Sequence, residues 1–406
     1  MKYRLMTTAA AMVMASCGTG ALAQNIGKPV EIADGVTLDP IIDAKLRYES
    51  VSQAGIASDA DAVTFRLRLG GEIKVHGFAF LAEGEGTVAL SDNYNDTLPG
   101  NGVEPFPVVA DPENIELNRL QLSYMQDGMG GTVGRQRIIH DNARFVGNVG
   151  WRQNEQTFDA VRGQAKIGPV SLDAAYAISQ RTIYGVDSPN EHFDGEIVLL
   201  NAAADLKPAK LSGFAYLVDY DTRIAFSSQT YGLRATAAVP LGAAMLDLMG
   251  SFATQSDMGA NPVSYQAEYY ALEAGLGIKG FSLKGGYEEL GSEGGTASFQ
   301  TPLATLHAFN GWADLFLTTP AAGLRDYYVS GGYKFTQVKA LPGLNLAVAY
   351  HQFESDIGGV DYGTEIDASL GFKVGPVSLL AKYANYNAQA FGSDTEKFWL
   401  QAALSL

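Results

Sequence analysis

Arginine is the residue type whose placement in this sequence most clearly suggests a chemical role. Nine arginines fall between residues 40 and 170, and the rest of the chain is poorer in them. A guanidinium group binds a carboxylate or phosphate through two parallel hydrogen bonds, so a cluster of such groups recognises anions. Eight of the nine form the candidate site for an anionic solute: Arg66, Arg68, Arg119, Arg135, Arg137, Arg144, Arg152 and Arg162.

Acidic side chains supply opposing charge later in the chain. Glu365 and Asp367 are two residues apart and complete the candidate set. Opposed groups of charge across a pore create a field that sets which solutes pass. The alternative is that the arginines and acids only pair with each other and hold a wall together. Both interpretations stay open, because a paired arginine keeps spare hydrogen-bond donors.

Signatures of an enzyme are missing from the sequence. The five histidines lack the spacing of metal ligands, and there is no nucleophile elbow, phosphate-binding loop or dinucleotide motif. The single cysteine, Cys17, excludes a disulfide framework and a cysteine-based metal site. We therefore expect a protein that is not an enzyme, with no catalytic residue, no metal and no cofactor.

Overall charge narrows the range of partners. Lysine and arginine total 28 against 44 aspartates and glutamates, which gives a formal net charge of −16. A nucleic-acid partner is excluded, because binding to phosphates requires a basic surface. Only 18% of the residues are charged, fewer than the roughly 25% that is usual for a soluble domain. The 46 glycines and 20 tyrosines suit turns and strands.

Hydrophobic periodicity indicates what kind of element carries the arginines. In residues 42–49 apolar and charged residues alternate at every position, and residues 63–69 and 398–406 also alternate. Alternation over about ten residues is typical of a transmembrane β-strand with one face toward lipid and one toward water. No segment after residue 24 has the about 20 apolar residues of a membrane helix. A soluble β-sandwich is the alternative fold.

Strand parity assigns the arginines to one side of the wall. Arg66 and Arg68 alternate with apolar residues, so they are expected to face the lumen. Arg119 and Arg162 are placed there by the same argument. Arg135 and Arg137 are two residues apart and should share a face. We assign that face to the lumen as well, because an arginine at the lipid-facing midplane costs ~2–4 kcal/mol.

Turn signals and longer polar segments alternate along the chain. Outer-membrane barrels join their strands by short periplasmic turns and longer external loops. Short turns such as Gly168-Pro169 and Gly375-Pro376 separate nine longer segments, which require nine strand pairs. The sequence therefore predicts a single all-β, antiparallel transmembrane barrel of about 18 strands with long extracellular loops. The predicted loops are residues 50–61, 91–113, 138–157, 182–194, 221–229, 255–264, 291–326, 354–361 and 387–394.

Two of these loops have unusual compositions. The third contains apolar residues such as Ile138 and Trp151, which would not suit an exposed loop, so we expect it to fold inward as the constriction. The seventh interleaves aromatic rings with polar residues. Those rings either pack the loop into the pore mouth as a lid or stack on a sugar. They belong to Phe299, His307, Phe309 and Trp312.

The first residues have the pattern of an export signal. A basic start is followed by an apolar stretch and by Ala21-Leu22-Ala23, which is typical of a cleavage site. We expect residues 1–23 to be a signal peptide, residues 24–37 a short N-terminal segment and residues 38–406 the barrel. The predicted location is the outer membrane of a Gram-negative cell. Lipidation at Cys17 is the alternative interpretation of this end.

Residues 134–162 and the seventh loop, with Asn310-Gly311-Trp312-Ala313-Asp314, resemble the alginate-export family of outer-membrane porins. The resemblance implies an 18-stranded barrel whose arginine-rich lumen passes an anionic polysaccharide or its fragments. The eight arginines named above are the positions that could play that part. The family's dedicated exporter has a long periplasmic turn between its sixteenth and seventeenth strands, whereas here that turn is only Gly375-Pro376.

The predicted function is an outer-membrane channel that passes anionic solutes, with uronic-acid saccharides such as alginate or its fragments among them. Two alternatives stay open. One is a general diffusion porin with a transverse charge field, and the other is an adhesin or receptor with a closed lumen. The expected partners are outer-membrane lipids and an anionic or saccharide solute. A homo-oligomer also stays open.

Overall fold

The computed structural model describes residues 27–406, so the predicted signal peptide and Cys17 lie outside the described residues. Eighteen long strands form one antiparallel barrel and are numbered β1 to β18 in chain order. They are β1 (Val36–Gln53), β2 (Ala60–Val75), β3 (Phe78–Ala89), β4 (Asn114–Gln126), β5 (Met129–Gln136), β6 (Thr157–Ile167), β7 (Val170–Arg181), β8 (His192–Asp205), β9 (Ala209–Tyr220), β10 (Ser228–Leu241), β11 (Ala244–Asp257), β12 (Gln266–Ile278), β13 (Phe281–Leu290), β14 (Leu324–Lys334), β15 (Asn345–Glu354), β16 (Asp361–Val374), β17 (Val377–Ala388) and β18 (Thr395–Ser405).

Each strand pairs with its neighbours in the chain, and the barrel closes where β1 pairs with β18. In this closing pair Asp43 lies opposite Ser405 and Gln53 lies opposite Thr395. A four-residue strand, Val30–Ala33, precedes β1 and pairs with its first residues. The predicted all-β barrel of about 18 strands is confirmed.

Alternating side chains give the wall a polar inner face and an apolar outer face. In β2, the inward-facing Arg66 and Arg68 are only 2% and 6% exposed, whereas Leu69 on the outer face is 40% exposed. Exposed apolar side chains recur on the outer positions of the other strands. A band of this kind is what a barrel presents to lipid. The alternation that the sequence predicts for β1 and β2 is therefore observed.

Nine loops of six or more residues connect the strands at one end of the barrel. At the other end most connections are turns of two or three residues, and the exception is the ten-residue segment 335–344 between β14 and β15. The long connections are the loops L1 (54–59), L2 (90–113), L3 (137–156), L4 (182–191), L5 (221–227), L6 (258–265), L7 (291–323), L8 (355–360) and L9 (389–394). Each overlaps a predicted loop. At the other end, Gly168 and Gly375 have φ angles of 59° and 57°, a conformation that glycine adopts without steric cost. Two-residue turns at these positions reverse the chain.

Two of the loops fill the barrel instead of extending from it. Ile138 and Val146 of L3 are fully buried, and so are Phe299 and Leu303 of L7. They pack against inward-facing wall residues in one apolar cluster. The inward folding predicted for the third loop is therefore observed, and L7 does the same. Within residues 27–406, helical structure is limited to two single 3₁₀ turns, neither of which is long enough to span a membrane.

Candidate functional site in the barrel lumen

L3 and L7 are joined to each other through their backbones. Val146 and Leu303 form a parallel β-bridge. The N–H of Gly147 donates to the Leu303 carbonyl at 2.8 Å, and the N–H of Thr305 donates to the Ala143 carbonyl at 3.0 Å. Backbone hydrogen bonds hold the two loops in one fixed arrangement. We call these joined segments, residues 137–156 of L3 and 299–323 of L7, the loop plug.

A buried carboxylate, Glu155, anchors L3 to the wall. Arg137 donates from Nε to Glu155 Oε2 at 2.8 Å, and Arg68 Nη1 lies 3.5 Å from Oε1. Burial alone would raise the pKa of Glu155, but Arg68 and Arg137 together lower it to about 2. Arg68 and Arg137, both predicted site residues, therefore bind the same carboxylate of L3.

Arg119 lies beside that group because of a β-bulge. The register between β3 and β4 shifts at Glu83 and Gly84, so Asn118 is the extra residue and both Asn118 and Arg119 turn inward. Arg119 donates to the two oxygens of Glu83 at 2.9 and 2.7 Å. Asn118 donates to Glu83 and to Glu155, each at 2.7 Å. The bulge thus links the wall to the anchor of L3.

Arg152 joins three parts of the barrel. Its two terminal nitrogens donate to Glu49 of β1 at 3.0 Å and to Asp314 of L7 at 2.9 Å. Beside it, Arg47 of β1 pairs with Asp111 of L2 at 3.2 Å. Burial would lower the pKa of Arg152, but the neighbouring carboxylates raise it above its ordinary value. Arg152 therefore stays charged and ties L3 to L7 and to β1.

Arg144 contacts both L7 and the wall. Its Nε donates to Glu288 of β13 at 2.6 Å, while Nη1 and Nη2 donate to Thr301 and Asn310 of L7, both at 3.1 Å. Each of its three nitrogens therefore has a protein partner. This arrangement makes Arg144 a tie between L3, L7 and the wall.

The three tryptophans of the sequence surround one lysine of the wall, Lys382 on β17. Its Nζ lies 3.7 to 5.4 Å from the ring centroids of Trp151, Trp312 and Trp399. The Trp151 ring also stacks on His307, with 4.5 Å between ring centroids and 4° between planes. Burial lowers the pKa of His307 to about 3, so its ring is neutral at pH 7. These rings come from L3, L7 and β18, and they pack the plug against the wall.

Glu365 and Asp367 lie beneath L7. Both are buried, and Glu365 accepts a hydrogen bond from the Ala313 N–H at 2.8 Å. Within residues 27–406 neither carboxylate pairs with a lysine or arginine, although His351 Nε2 lies 3.9 Å from Asp367. The hydrogen bond from Ala313 to Glu365 supports L7.

Arg66 and Arg162 face the lumen, as parity predicts. Arg66 pairs with Asp43 of β1, and Arg162 donates from Nε to Asp173 of β7 at 2.9 Å. Both ion pairs join neighbouring strands, so they stabilise the inner face of the wall.

The prediction that Arg135 faces the lumen is wrong. Arg135 lies opposite Leu120 in the register of β4 and β5, and Leu120 is 40% exposed on the outer face. Its guanidinium binds Asp159, with Nε 2.8 Å from Oδ1, near the long-loop end of the strand. The penalty for a lipid-facing arginine falls to ~0–1 kcal/mol near the interface. Arg137 lies beyond Gln136, where β5 ends, and no longer follows the alternation.

Most of the arginines are already paired with carboxylates. Residues 27–406 contain 13 arginines, and 11 of them form ion pairs. Arg223 of L5 and Arg234 of β10 form none in this described part of the chain. Pairing, the alternative drawn from the sequence, therefore accounts for most of the contacts of the arginine-rich wall.

A cavity of about 340 Å³ lies at the long-loop end, against the plug. L2, L3, L4, L5 and L7 line it, together with the ends of β1 and β18. Arg152 is the one residue of the ten predicted that lines this cavity in the described chain. Arg223 and Lys397 add two further positive charges, and Asp314 supplies a negative one. Much of the remaining lining is apolar: Val149, Phe193, Phe226, Leu306, Leu315 and Leu317.

Several residues that organise the site are not among the residues predicted from the sequence. Glu155 and Asp314 bind the predicted arginines, and both stand out in the sequence as charged residues in inward-folding loops. Arg223 has a weaker signal, because it is an isolated arginine three residues before Phe226. Its position beside the cavity depends on the fold.

Comparison with known proteins gives a fold and no sequence family. No protein-family model matches the chain, and no curated protein matches it. Among solved structures, it is similar to OccAB4 of Acinetobacter baumannii, with a TM-score of 0.72, 14% identity, and coverage of 94% of this chain and 100% of that one. OccK9 (OpdG) of Pseudomonas aeruginosa matches with a TM-score of 0.71, 13% identity, and coverage of 92% and 99%.

OpdK of Pseudomonas aeruginosa, solved with vanillate, matches with a TM-score of 0.70 and 15% identity, covering 91% of this chain and 98% of that one. OpdK is also described as an outer membrane protein. These identities are low, so the likeness concerns the fold. The chain has the same barrel fold as these three proteins.

Proposed function

We propose that this protein is a channel of the Gram-negative outer membrane that passes small anionic solutes. One observation carries the proposal. The loop plug narrows the lumen and borders a cavity in which Arg152, Arg223 and Lys397 outnumber the single carboxylate of Asp314. Positive potential in a confined cavity concentrates anions. The likeness in fold to OpdK, solved with vanillate, supports the choice of a carboxylate.

The predicted arginines have unequal roles in this proposal. Arg144 holds the plug in place, because all three of its nitrogens are engaged. Arg152 faces the cavity and uses two of its N–H groups for Glu49 and Asp314. A guanidinium has five such groups, so Arg152 keeps donors for a passing carboxylate. The constriction is therefore assigned to Arg152 and its neighbours in L3 and L7.

A narrower form of the proposal concerns uronic-acid saccharides, alginate fragments among them. A cavity of about 340 Å³ is near the lower end of sites that enclose a drug-sized ligand. Within residues 27–406 only Arg223 and Arg234 form no ion pair, so few free guanidinium groups could bind a polymer along its length. These features favour a short fragment over an intact polysaccharide. The resemblance to the alginate-export family then concerns the architecture and, at most, such fragments.

Conductance in a planar lipid bilayer tests the proposal. We expect discrete current steps. In a tenfold KCl gradient, the reversal potential should indicate a higher permeability for chloride than for potassium. Heat-denatured protein serves as the control for detergent artefacts. Absence of steps would favour an adhesin or receptor with a closed lumen. Selectivity for potassium would contradict an anion channel and would favour a general diffusion pore whose acidic residues dominate.

A further inference from the structure

Arg223 differs from the other charged groups of the cavity because it has no carboxylate partner. Within residues 27–406 its guanidinium forms no ion pair and no side-chain hydrogen bond. Its Cζ instead lies 3.8 Å from the ring centroid of Phe226 and 4.7 Å from that of Phe193. All three side chains line the cavity.

Stacking on aromatic rings orients a guanidinium without using its donors. A ring face attracts the cation but occupies none of the in-plane N–H groups. Those groups match the two oxygens of a carboxylate. Because the rings already restrict the side chain, less conformational entropy is lost when a ligand binds.

The loop that carries Arg223 is also held in place. L5 has only seven residues, 221–227, between β9 and β10. The Tyr220 N–H donates to Ser227 Oγ at 2.9 Å, and Asn261 Nδ2 donates to the Ser227 carbonyl at 2.8 Å. These contacts fix both ends of L5. The guanidinium is therefore presented by a short, tied loop that is separate from the plug.

We propose that Arg223, Phe193 and Phe226 form an external capture site for small carboxylates that carry an apolar body. The guanidinium binds the carboxylate. The apolar body of the solute packs against the apolar lining of the cavity, which includes Tyr184 and Leu315. This inference rests on the proposed channel function and adds a binding step before the constriction. It concerns residues of L5 and β8, outside the arginine cluster of residues 40–170.

Fluorine NMR with 4-fluorobenzoate as the probe tests the site on the detergent-solubilised full chain. We expect saturable binding of 4-fluorobenzoate and at least about tenfold weaker binding of the neutral 4-fluorobenzamide, because the charged hydrogen bonds are lost. Arg223→Gln should raise the Kd for 4-fluorobenzoate at least about tenfold. Phe226→Leu should weaken binding several-fold while the charge stays in place.

Arg325→Gln is the matched control. It removes the same charge at the same end of the barrel, from a side chain paired with Glu289 and Asp356 and absent from the cavity lining. Its Kd should equal that of the wild type. Heat-modifiable migration in gels verifies that each variant is a folded barrel. Absence of binding by the wild type, or an unchanged Kd in Arg223→Gln, overturns the capture site.

The two proposals can fail separately. Binding in detergent needs no conduction, so Arg223-dependent binding by a protein without current steps would overturn the channel and support the capture site. Anion-selective current together with probe binding that is unchanged in Arg223→Gln would support the channel function and overturn the capture site.

Discussion

The side-chain nitrogen of Lys382 lies 2.7 Å from Nε2 of His307, and this contact joins the barrel wall to L7. Nδ1 of the same ring lies 2.8 Å from Oδ1 of Asp314. A neutral imidazole that donates from Nδ1 to the carboxylate accepts from the ammonium group at Nε2. The three buried groups therefore form one chain of hydrogen bonds that links L7 to the wall.

Replacing Lys382 by methionine should loosen the plug. Methionine is similar in length but removes the charge that contacts His307 and the tryptophan rings. We expect tryptophan emission to shift to longer wavelength, because all three tryptophans of the chain lie at this junction and would gain contact with water. Lys373→Met is the control, since Lys373 also faces inward but lies away from the rings. An unchanged emission maximum in Lys382→Met would contradict the role given to this contact.

Acid should release L7 through His307. Burial lowers the pKa of His307 to about 3, against 6.5 for an exposed ring. An undocked ring takes up a proton near pH 6.5, whereas the docked ring does not. The stabilisation of the docked loop is therefore complete above pH 6.5 and is lost progressively as the pH falls toward 3.

The measurement for this prediction is single-channel conductance between pH 7 and pH 4. We expect more frequent open events as the pH falls in the wild type. In His307→Gln, which cannot titrate, this increase should be smaller. An identical pH profile in the two proteins would show that another group is responsible.

A methyl group at Gly311 should lift L7 from the wall. Gly311 has a φ of +83°, and a Cβ there would collide with the carboxylate of Glu365. We expect Gly311→Ala to make L7 more accessible to added protease and to raise conductance. Gly294→Ala is the matched control, because Gly294 is in the same loop with a φ of +57° and nothing within 4 Å of a Cβ. Equal protease resistance in the two variants would refute the close contact.

Arg152 and Arg135 should differ in their effect on ion selectivity. Arg152→Ala removes a positive charge from the cavity lining and leaves the carboxylates of Glu49 and Asp314 without this partner. The reversal potential should therefore shift in the direction of higher potassium permeability. Arg135→Ala removes the same charge from the outer face. We expect no shift for Arg135→Ala. A similar shift in both would mean that selectivity follows overall charge and not the charge at the cavity.

Neutralising Glu155 should destabilise the barrel. Glu155→Gln removes the buried carboxylate that half-buried Arg137 and buried Arg68 share, although Arg68 keeps its pair with Glu85. Breaking a buried ion pair from one side typically costs about 3–5 kcal/mol in the free energy of unfolding. Urea unfolding of the protein in detergent measures this difference. Asp59→Asn, at an exposed position of L1, makes the same chemical change and should leave the midpoint unaltered.

Local features of this fold could be predicted from the sequence because they depend on neighbouring residues. Arg68 faces inward because alternation along the strand places it on the other face of the sheet from its apolar neighbours Leu67 and Leu69. Its partner Glu85 is directly opposite in the β2–β3 hairpin, so a short turn brings the two together. Loop positions follow for the same reason, since turn residues act locally.

Contacts between distant segments could not be predicted in this way. Arg144 and Glu288 are 144 residues apart, and only the closed barrel with L3 inside it brings them together. The error at Arg135 has a different cause. The prediction uses the cost of an outward arginine at the bilayer midplane, but Arg135 lies near the strand end, where Asp159 pairs with it and the cost is small.

The β-bridge between Val146 and Leu303 has a consequence for protein engineering. Because L3 and L7 share backbone hydrogen bonds, the conformation of each loop depends on the other. A graft of L3 from another barrel of this fold would meet an L7 whose carbonyls and N–H groups no longer match. Transplanting the permeation properties of one such barrel into another therefore requires the exchange of both loops as a pair.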